Sequence, residues 1–345
     1  MVGEVHHNKG MLESVRKPYV IFVGDEASSV YTKTGAGIAH WDRENCVGQI
    51  RLSPQAQDLG LPDMSVEEAL SAGAKTLIIG IAVVGGSIPS SMRDVIRDAL
   101  SRGLDVASGT HDRLSEDPEF AQAAASSGAR ITDVRVPPAG LPVGTGVKRS
   151  GKRLLTVGTD CALGKKYTAL ALAKEMTSRG MDATFRATGQ TGILLSGSGI
   201  PIDAVVADFV SGAAETLSPD APQAHWDVIE GQGAILHPGY AAVSMGLLMG
   251  SQPDAIVVCT DATRTTISGW PDFPLPSIQD VIDLTLRIGS TVNPAIRVVG
   301  ISANTSRLGE TEREKYLRGL SEEHGVPAVD SIATGVHPIV DVLQS

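Results

Sequence analysis

Aromatic side chains are scarce in this 345-residue chain: Trp, Tyr and Phe together make 4%. Glycine is plentiful, with 38 residues. That balance suits an α/β protein with small-residue turns better than an all-β sandwich. Cysteine is also scarce. Cys46, Cys161 and Cys259 lie far apart, with neither a disulfide framework nor a metal-type spacing, so a reducing compartment, the cytoplasm, is expected. No apolar run is long enough to span a bilayer. Residues 1–17 are polar and read as a flexible arm, without the apolar core of a signal peptide. Positive charge is in deficit: the formal net charge is −10, which argues against a nucleic-acid partner but leaves room for a locally basic anion site. What is present, 42% hydrophobic and 20% charged residues, describes a globular chain long enough for two domains.

Alternating apolar runs and helical stretches predict the organisation. Tyr19–Val23 reads as a first strand. The glycine-rich Lys33–Ile38 stretch reads as a turn, with no long helix after it. Helices are predicted at Ser65–Ala72, Ser91–Ser101 and Asp117–Ser127, and strands at Thr76–Ala82, Leu104–Ala107 and Ile131–Val136. Residues 18–136 therefore read as a small parallel-sheet domain. Residues 137–152, rich in Pro, Gly and basic residues, read as a linker. Residues 153–345 form a second doubly wound domain. Its strands are predicted at 154–158, Ala183–Ala187, Ala204–Phe209, Trp226–Ile229, Ala255–Cys259, Arg297–Ile301 and Ala328–Val329. Its helices are predicted at Thr168–Arg179, Gly239–Met249, Ser277–Ile288, Thr311–His324 and Val336–Leu343.

The most informative stretch opens this second domain. An apolar run ends at Gly158, and Thr159, Asp160, Cys161, Ala162, Leu163, Gly164, Lys165, Lys166 and Tyr167 follow before helical sequence. Strand, small-residue loop and helix start together aim backbone N–H groups and partial positive charge at an anion. Lys165 adds a mobile full charge. The common nucleotide loop ends Gly-Lys-Ser/Thr, with the hydroxyl on Mg²⁺. Here Lys166 takes the hydroxyl's place, so Mg²⁺ is doubtful, and anchoring a phosphate is favoured over ATP hydrolysis.

The loop resembles that of the dethiobiotin synthetases. The likeness extends to Glu230-Gly231-Gln232-Gly233 after a strand, and weakly to Asn304, which the synthetases place near the nucleotide base. A closer resemblance covers nearly the whole chain. It rests on Gly158–Tyr167, Thr188-Gly189-Gln190-Thr191-Gly192, Asp208–Glu215, Glu230–Gly233 and His237-Pro238-Gly239-Tyr240. This set is similar to a bacterial and archaeal family long labelled as of unknown function, some of whose members are D-glutamate N-acetyltransferases. The resemblance implies a Rossmann-like domain followed by a P-loop NTPase-like domain, with acetyl-CoA as co-substrate and an acidic amino acid as acceptor. Coenzyme A carries phosphates, so a phosphate loop can hold it without phosphoryl transfer. An ATP-dependent ligase or kinase of the synthetase type, and a non-catalytic nucleotide or CoA sensor, are the alternatives. A homo-oligomer, most simply a homodimer, is expected.

Acetyl transfer needs a base for the ammonium, donors for the thioester oxygen and cations for the substrate carboxylates. Glu230 is the first choice for the base, with Asp160 and His237 beside it and His111 or an acid from Asp208–Glu215 behind them. Arg186, Thr188, Gln190, Thr191 and Arg264 are the expected substrate contacts. Cys161 is a possible acyl carrier, although no histidine can be set beside it from the sequence.

Overall fold

In the computed structural model, residues 15–29, 31–81, 88–110 and 112–345 are described. Most of the expected arm, the last residue of the expected Thr76–Ala82 strand and His111 fall outside them. The chain divides into two compact units. The first takes the residues up to Pro138 together with Gln190–Pro201, and the second takes Ala139–Gly189 and Ile202–Ser345. The segment Gln190–Pro201 thus leaves the second unit's sequence and folds with the first.

The first unit is a parallel sheet of β1 (Tyr19–Gly24), β2 (Cys46–Arg51), β3 (Thr76–Ile79), β4 (Asp105–Ser108) and β5 (Ile131–Asp133) in the order β2-β1-β3-β4-β5. Its helices are α1 (Lys33–Trp41), α2 (Val66–Ser71), α3 (Ser90–Ser101) and α4 (Pro118–Ser127). Strands buried on both faces need continuous apolar runs. Val20, Phe22, Leu77 and Ile79 supply them and pack on Ile96 and Phe120 of the helices. Ser65 caps α2 in a reciprocal box with Glu68, and Asp117 caps α4 ahead of Pro118. The Lys33–Ile38 stretch is not a turn: it lies within α1, where Gly35 and Gly37 are buried. A Cβ on Gly35 would stand 3.0 Å from Ile21 and 3.2 Å from the Gly80 carbonyl. Close packing on the sheet, not turn formation, explains that glycine.

The second unit opens with β6 (Lys152–Gly158), α5 (Lys165–Ser178) and β7 (Ala183–Arg186). The chain then makes its excursion into the first unit, through α6 (Gln190–Ser196). On its return it forms α7 (Val210–Leu217), β8 (Trp226–Ile229), α8 (Ala241–Ser251), β9 (Ala255–Asp261) and a hairpin of β10 (Thr266–Ile267) and β11 (Trp270–Pro274). It ends with α9 (Ile278–Gly289), β12 (Arg297–Asn304), α10 (Glu310–His324), β13 (Ala328–Val329) and α11 (His337–Gln344). Six parallel strands order as β13-β12-β9-β6-β8-β7. β6 therefore sits where the winding reverses, the place at which open α/β sheets bind ligands beyond their carboxyl ends.

One expectation differs here. Ala204–Phe209 is not a strand: short 3-10 turns occupy Ile202–Ala204 and Ala207–Phe209. The segment ahead of β6 is held to the second unit by polar contacts. Glu215 accepts from the amides of Thr145 and Gly146, and Arg149 donates to the Ser218 and Gly250 carbonyls. A Cβ at Gly212 would lie 1.8 Å from the Pro142 carbonyl, so the segment runs directly over α7. Glu215 is thereby engaged in holding this segment, and Asp208 is exposed on its turn.

Candidate functional site

The loop between β6 and α5 is wound tightly. Ala162 has φ 51° and Gly164 has φ 104°, so left-handed residues alternate with ordinary ones and the backbone curls. Gly164 is the N-cap of α5, and Lys165 and Lys166 are the helix's first two residues. The Thr159 amide donates to the Cys259 carbonyl at the end of β9, which pins the loop's start.

Asp160 is fully buried, and its carboxylate holds the loop. Oδ1 accepts from the Cys161 amide at 2.6 Å. Oδ2 accepts from Arg264 Nη1 at 2.6 Å and from the Ser268 amide at 2.8 Å. Arg264 donates further to the carbonyl oxygen of Cys161 at 2.8 Å. Arg264 and Asp160 therefore tie the turn after β9 to the loop. Lys165 is buried, and its Nζ donates to the Asp160 carbonyl at 2.7 Å. Burial pushes the Lys165 pKa below the usual lysine range, against the pull of the nearby Cys161, Cys259 and Asp160.

His237 is 1% exposed, beneath Tyr240 and edge-on to Trp270 with ring centroids 4.7 Å away in each case. Its Nδ1 accepts from the Gly239 and Tyr240 amides at 3.0 and 3.2 Å. An acceptor nitrogen has no proton, so in the neutral ring the proton lies on Nε2. Burial lowers the His237 pKa, which favours that neutral form. Nε2 lies 3.6 Å from Asp160 Oδ1, too far for a hydrogen bond, and has no partner among the described residues. The Asp160 carboxylate, the Cys161 thiol and a ring nitrogen of His237 lie within 4.8 Å of one another. That is close enough to suggest a metal centre or a cysteine–histidine pair. Neither fits the donor chemistry, because a metal ligand or a base for the thiol needs a lone pair on Nε2, which carries the proton.

Glu230 follows β8 and is 4% exposed. Its Oε2 accepts from the Thr188 and Gly189 amides at 3.0 and 3.1 Å. Burial raises its pKa, while the Lys166 charge and these two amides oppose the rise. The next residue, Gly231, admits close approach: a Cβ there would lie 1.6 Å from the Thr156 carbonyl and 3.1 Å from Lys165 Cδ. Glu230 thus stands next to the loop, as expected for adjacent strands β6 and β8.

The remaining expected residues separate. Arg186 Nε donates to Asp227 Oδ1 at 2.6 Å. Thr188 is buried beside Glu230. Gln190 and Thr191 belong to the excursion. There Thr191 Oγ1 lies 3.4 Å from Thr34 Oγ1, and a Cβ on Gly109 would touch the Gln190 side chain at 3.0 Å. Residue-type reasoning did not single out Ser268 or Thr156 and took Gln232 only as part of the Glu230–Gly233 motif; their backbone and side-chain bonds hold this arrangement. Each is a common polar residue whose role comes from a distant partner. Next to the loop, Ala162–Gly164, Tyr167, Asn304 and Ser331 border a mostly apolar cavity of about 290 Å³.

Residues 142–340 match the model described as domain of unknown function (DUF1611_C) P-loop domain, and residues 49–137 match its Rossmann-like partner, DUF1611_N. The chain belongs to this family. A DUF1611 family protein from Anabaena variabilis, solved as a crystal structure, is 32% identical with a TM-score of 0.85, over 96% of this chain and all of that one. A D-glutamate N-acetyltransferase from Tritonibacter scottomollicae is 46% identical over 96% of this chain and 99% of its own length. A D-glutamate N-acetyltransferase from a Pseudoalteromonas species is 44% identical over 94% and 98%. The Rossmann-like plus P-loop architecture expected from the sequence is thus the family's own. No helix among the described residues is long and apolar enough to cross a membrane.

Proposed function

We propose that this chain transfers an acetyl group from acetyl-CoA to the amino group of D-glutamate. The observation that carries this is near-full-length identity of 44–46% to two proteins named D-glutamate N-acetyltransferase, in a chain whose phosphate loop has no hydroxyl at the metal position. The loop amides and Lys165 would hold CoA phosphates, with Lys165 turning from the Asp160 carbonyl to the stronger anionic acceptor. Asp160 and Arg264 keep the loop wound. The apolar cavity beside Leu163 and Tyr167 suits the adenine ring.

In the reaction a base takes one ammonium proton, the freed amino nitrogen attacks the thioester carbon, the C–S bond breaks, and a second proton from the nitrogen passes to the sulfur, so that CoA leaves as its thiol. Phosphates and thioester stand at opposite ends of the pantetheine arm. Phosphates in the loop therefore place the reacting carbonyl away from it. Asp160 has both oxygens engaged, His237 carries a proton on its unpaired nitrogen, and Glu230 lies at the phosphate end. Arg264, joined to Asp160, belongs to the loop's framework and not to the acceptor's carboxylates. In this account none of the loop cluster serves as the base, and Cys161 is not an acyl carrier.

Glu230 at the end of a strand beside the loop is the one feature favouring an ATP-dependent enzyme. One experiment separates the two. Acetyl-CoA with D-glutamate should release CoA, and ATP with Mg²⁺ should release no phosphate. The opposite pattern would establish the ATP-dependent reaction.

A further inference from the structure

Thr188 and Gly189 stand where the chain leaves the second unit for its excursion, and Ile202 is where it returns. Both ends meet at one residue. The Ile202 amide donates to the Thr188 carbonyl at 3.0 Å. The Thr188 and Gly189 amides donate to Glu230 Oε2, and Thr188 Oγ1 donates to the Glu230 carbonyl at 2.7 Å. Gln232 Nε2 donates to Thr188 Oγ1 at 3.1 Å. Thr188 is completely buried. Gly189 fits because a Cβ there would stand 2.5 Å from Gln232 Nε2 and 3.3 Å from Glu230 Oε1.

We infer that Glu230 is a positioning residue: its carboxylate clasps Thr188 and Gly189, the foot of the Gln190–Pro201 excursion, and so holds the point at which the chain leaves for the excursion and returns from it. An excursion of twelve residues, Gln190–Pro201, with one short helix has little core of its own. Ile193, Leu194 and Ile200 are buried along it, Thr191 meets Thr34 and Gln190 meets Gly109, and the foot fixes its two ends. A carboxylate accepting two converging amides is a strong anchor, because hydrogen bonds to a charged group are worth more than neutral ones. The charged groups acting on it are Lys166, which favours the ionised form, and Asp203, which opposes it. The functional consequence rests on the proposed acetyl transfer: Gln190 and Thr191 contact the acceptor amino acid, so a loosened foot weakens acceptor binding more than turnover.

The test compares the full-length wild type with Glu230→Ala and Glu230→Gln, by amide hydrogen exchange and by steady-state kinetics. Exchange over 188–202 should quicken in Glu230→Ala by about tenfold or more, and less in Glu230→Gln, which keeps one acceptor oxygen. The KM for D-glutamate should rise by a similar factor in Glu230→Ala and recover in part in Glu230→Gln, with kcat and the acetyl-CoA KM within about threefold of wild type. Unchanged exchange overturns the clasp. Faster exchange with an unchanged D-glutamate KM overturns the positioning role. A kcat loss of roughly 10²-fold or more in Glu230→Gln at normal exchange makes Glu230 the base instead. Should these variants not fold, Glu230→Asp keeps the charge and draws it back by one methylene from the two amides. It should quicken exchange in the same segment, and wild-type exchange there would count against the clasp. Exchange is read without any substrate. Failure of the clasp is therefore distinct from failure of the acetyltransferase assignment, which would show as an intact clasp with no CoA release.

Discussion

Lys165 is a buried ammonium waiting on a backbone carbonyl, and its burial defines two outcomes. Lys165→Ala should weaken acetyl-CoA binding by roughly ten- to a hundredfold, the value of one hydrogen bond to a charged group, as measured by calorimetry. An unchanged dissociation constant would remove Lys165 from the phosphate site. The pH dependence follows from the lowered pKa. Phosphate binds the protonated amine, so the lysine's contribution is complete below its folded pKa and lost as pH rises through it. Acetyl-CoA affinity should therefore decline at a lower pH than an ordinary lysine would give, and the decline should be absent in Lys165→Ala. His237 has its own signature. Nitrogen-15 NMR near neutral pH should show Nδ1 as the bare acceptor and Nε2 as the protonated nitrogen. A proton on Nδ1 would contradict the assignment and restore His237 as a base or ligand.

At the scale of elements, glycine contacts separate packing from propensity. Gly231→Ala drives a methyl group into the Thr156 carbonyl of the neighbouring strand, a backbone atom that cannot yield. It should destabilise the protein by about 1–3 kcal/mol or more, seen as a lower Tm. Gly319→Ala lies on an exposed position of α10 with nothing within 4 Å and should stabilise by about 0.8–1 kcal/mol. The elements legible in the sequence were those whose signal is local. β6 and β9 carry apolar runs, Leu154-Leu155 and Ala255–Cys259, and α2 and α4 carry their own caps. α1 was hidden because its Gly35 serves packing against Ile21 and Gly80, which no local pattern shows. Ala204–Phe209 looked like a strand from its apolar content, yet its backbone is turned at both ends by 3-10 bonds. The phosphate loop was recognisable from its spacing. Its support by Arg264 and Ser268 was not, since those partners lie more than a hundred residues away from Asp160. The excursion was equally invisible, because its membership is decided by long-range contacts.

At the scale of the whole molecule, one loop and one chemistry must agree. With Lys166 at the metal position, turnover should survive EDTA, and Lys166→Thr should not by itself confer ATP hydrolysis, which needs other parts of a phosphoryl-transfer site. Activity lost in chelator and restored by Mg²⁺ would favour the ATP-dependent reaction. The most direct measurement is release of free CoA from acetyl-CoA by the purified full-length protein, with D-glutamate present or absent. The account predicts release that depends on D-glutamate, matches N-acetyl-D-glutamate formed mole for mole, and is unaffected by EDTA. No release with D-glutamate, alongside phosphate release from ATP and Mg²⁺, would contradict it.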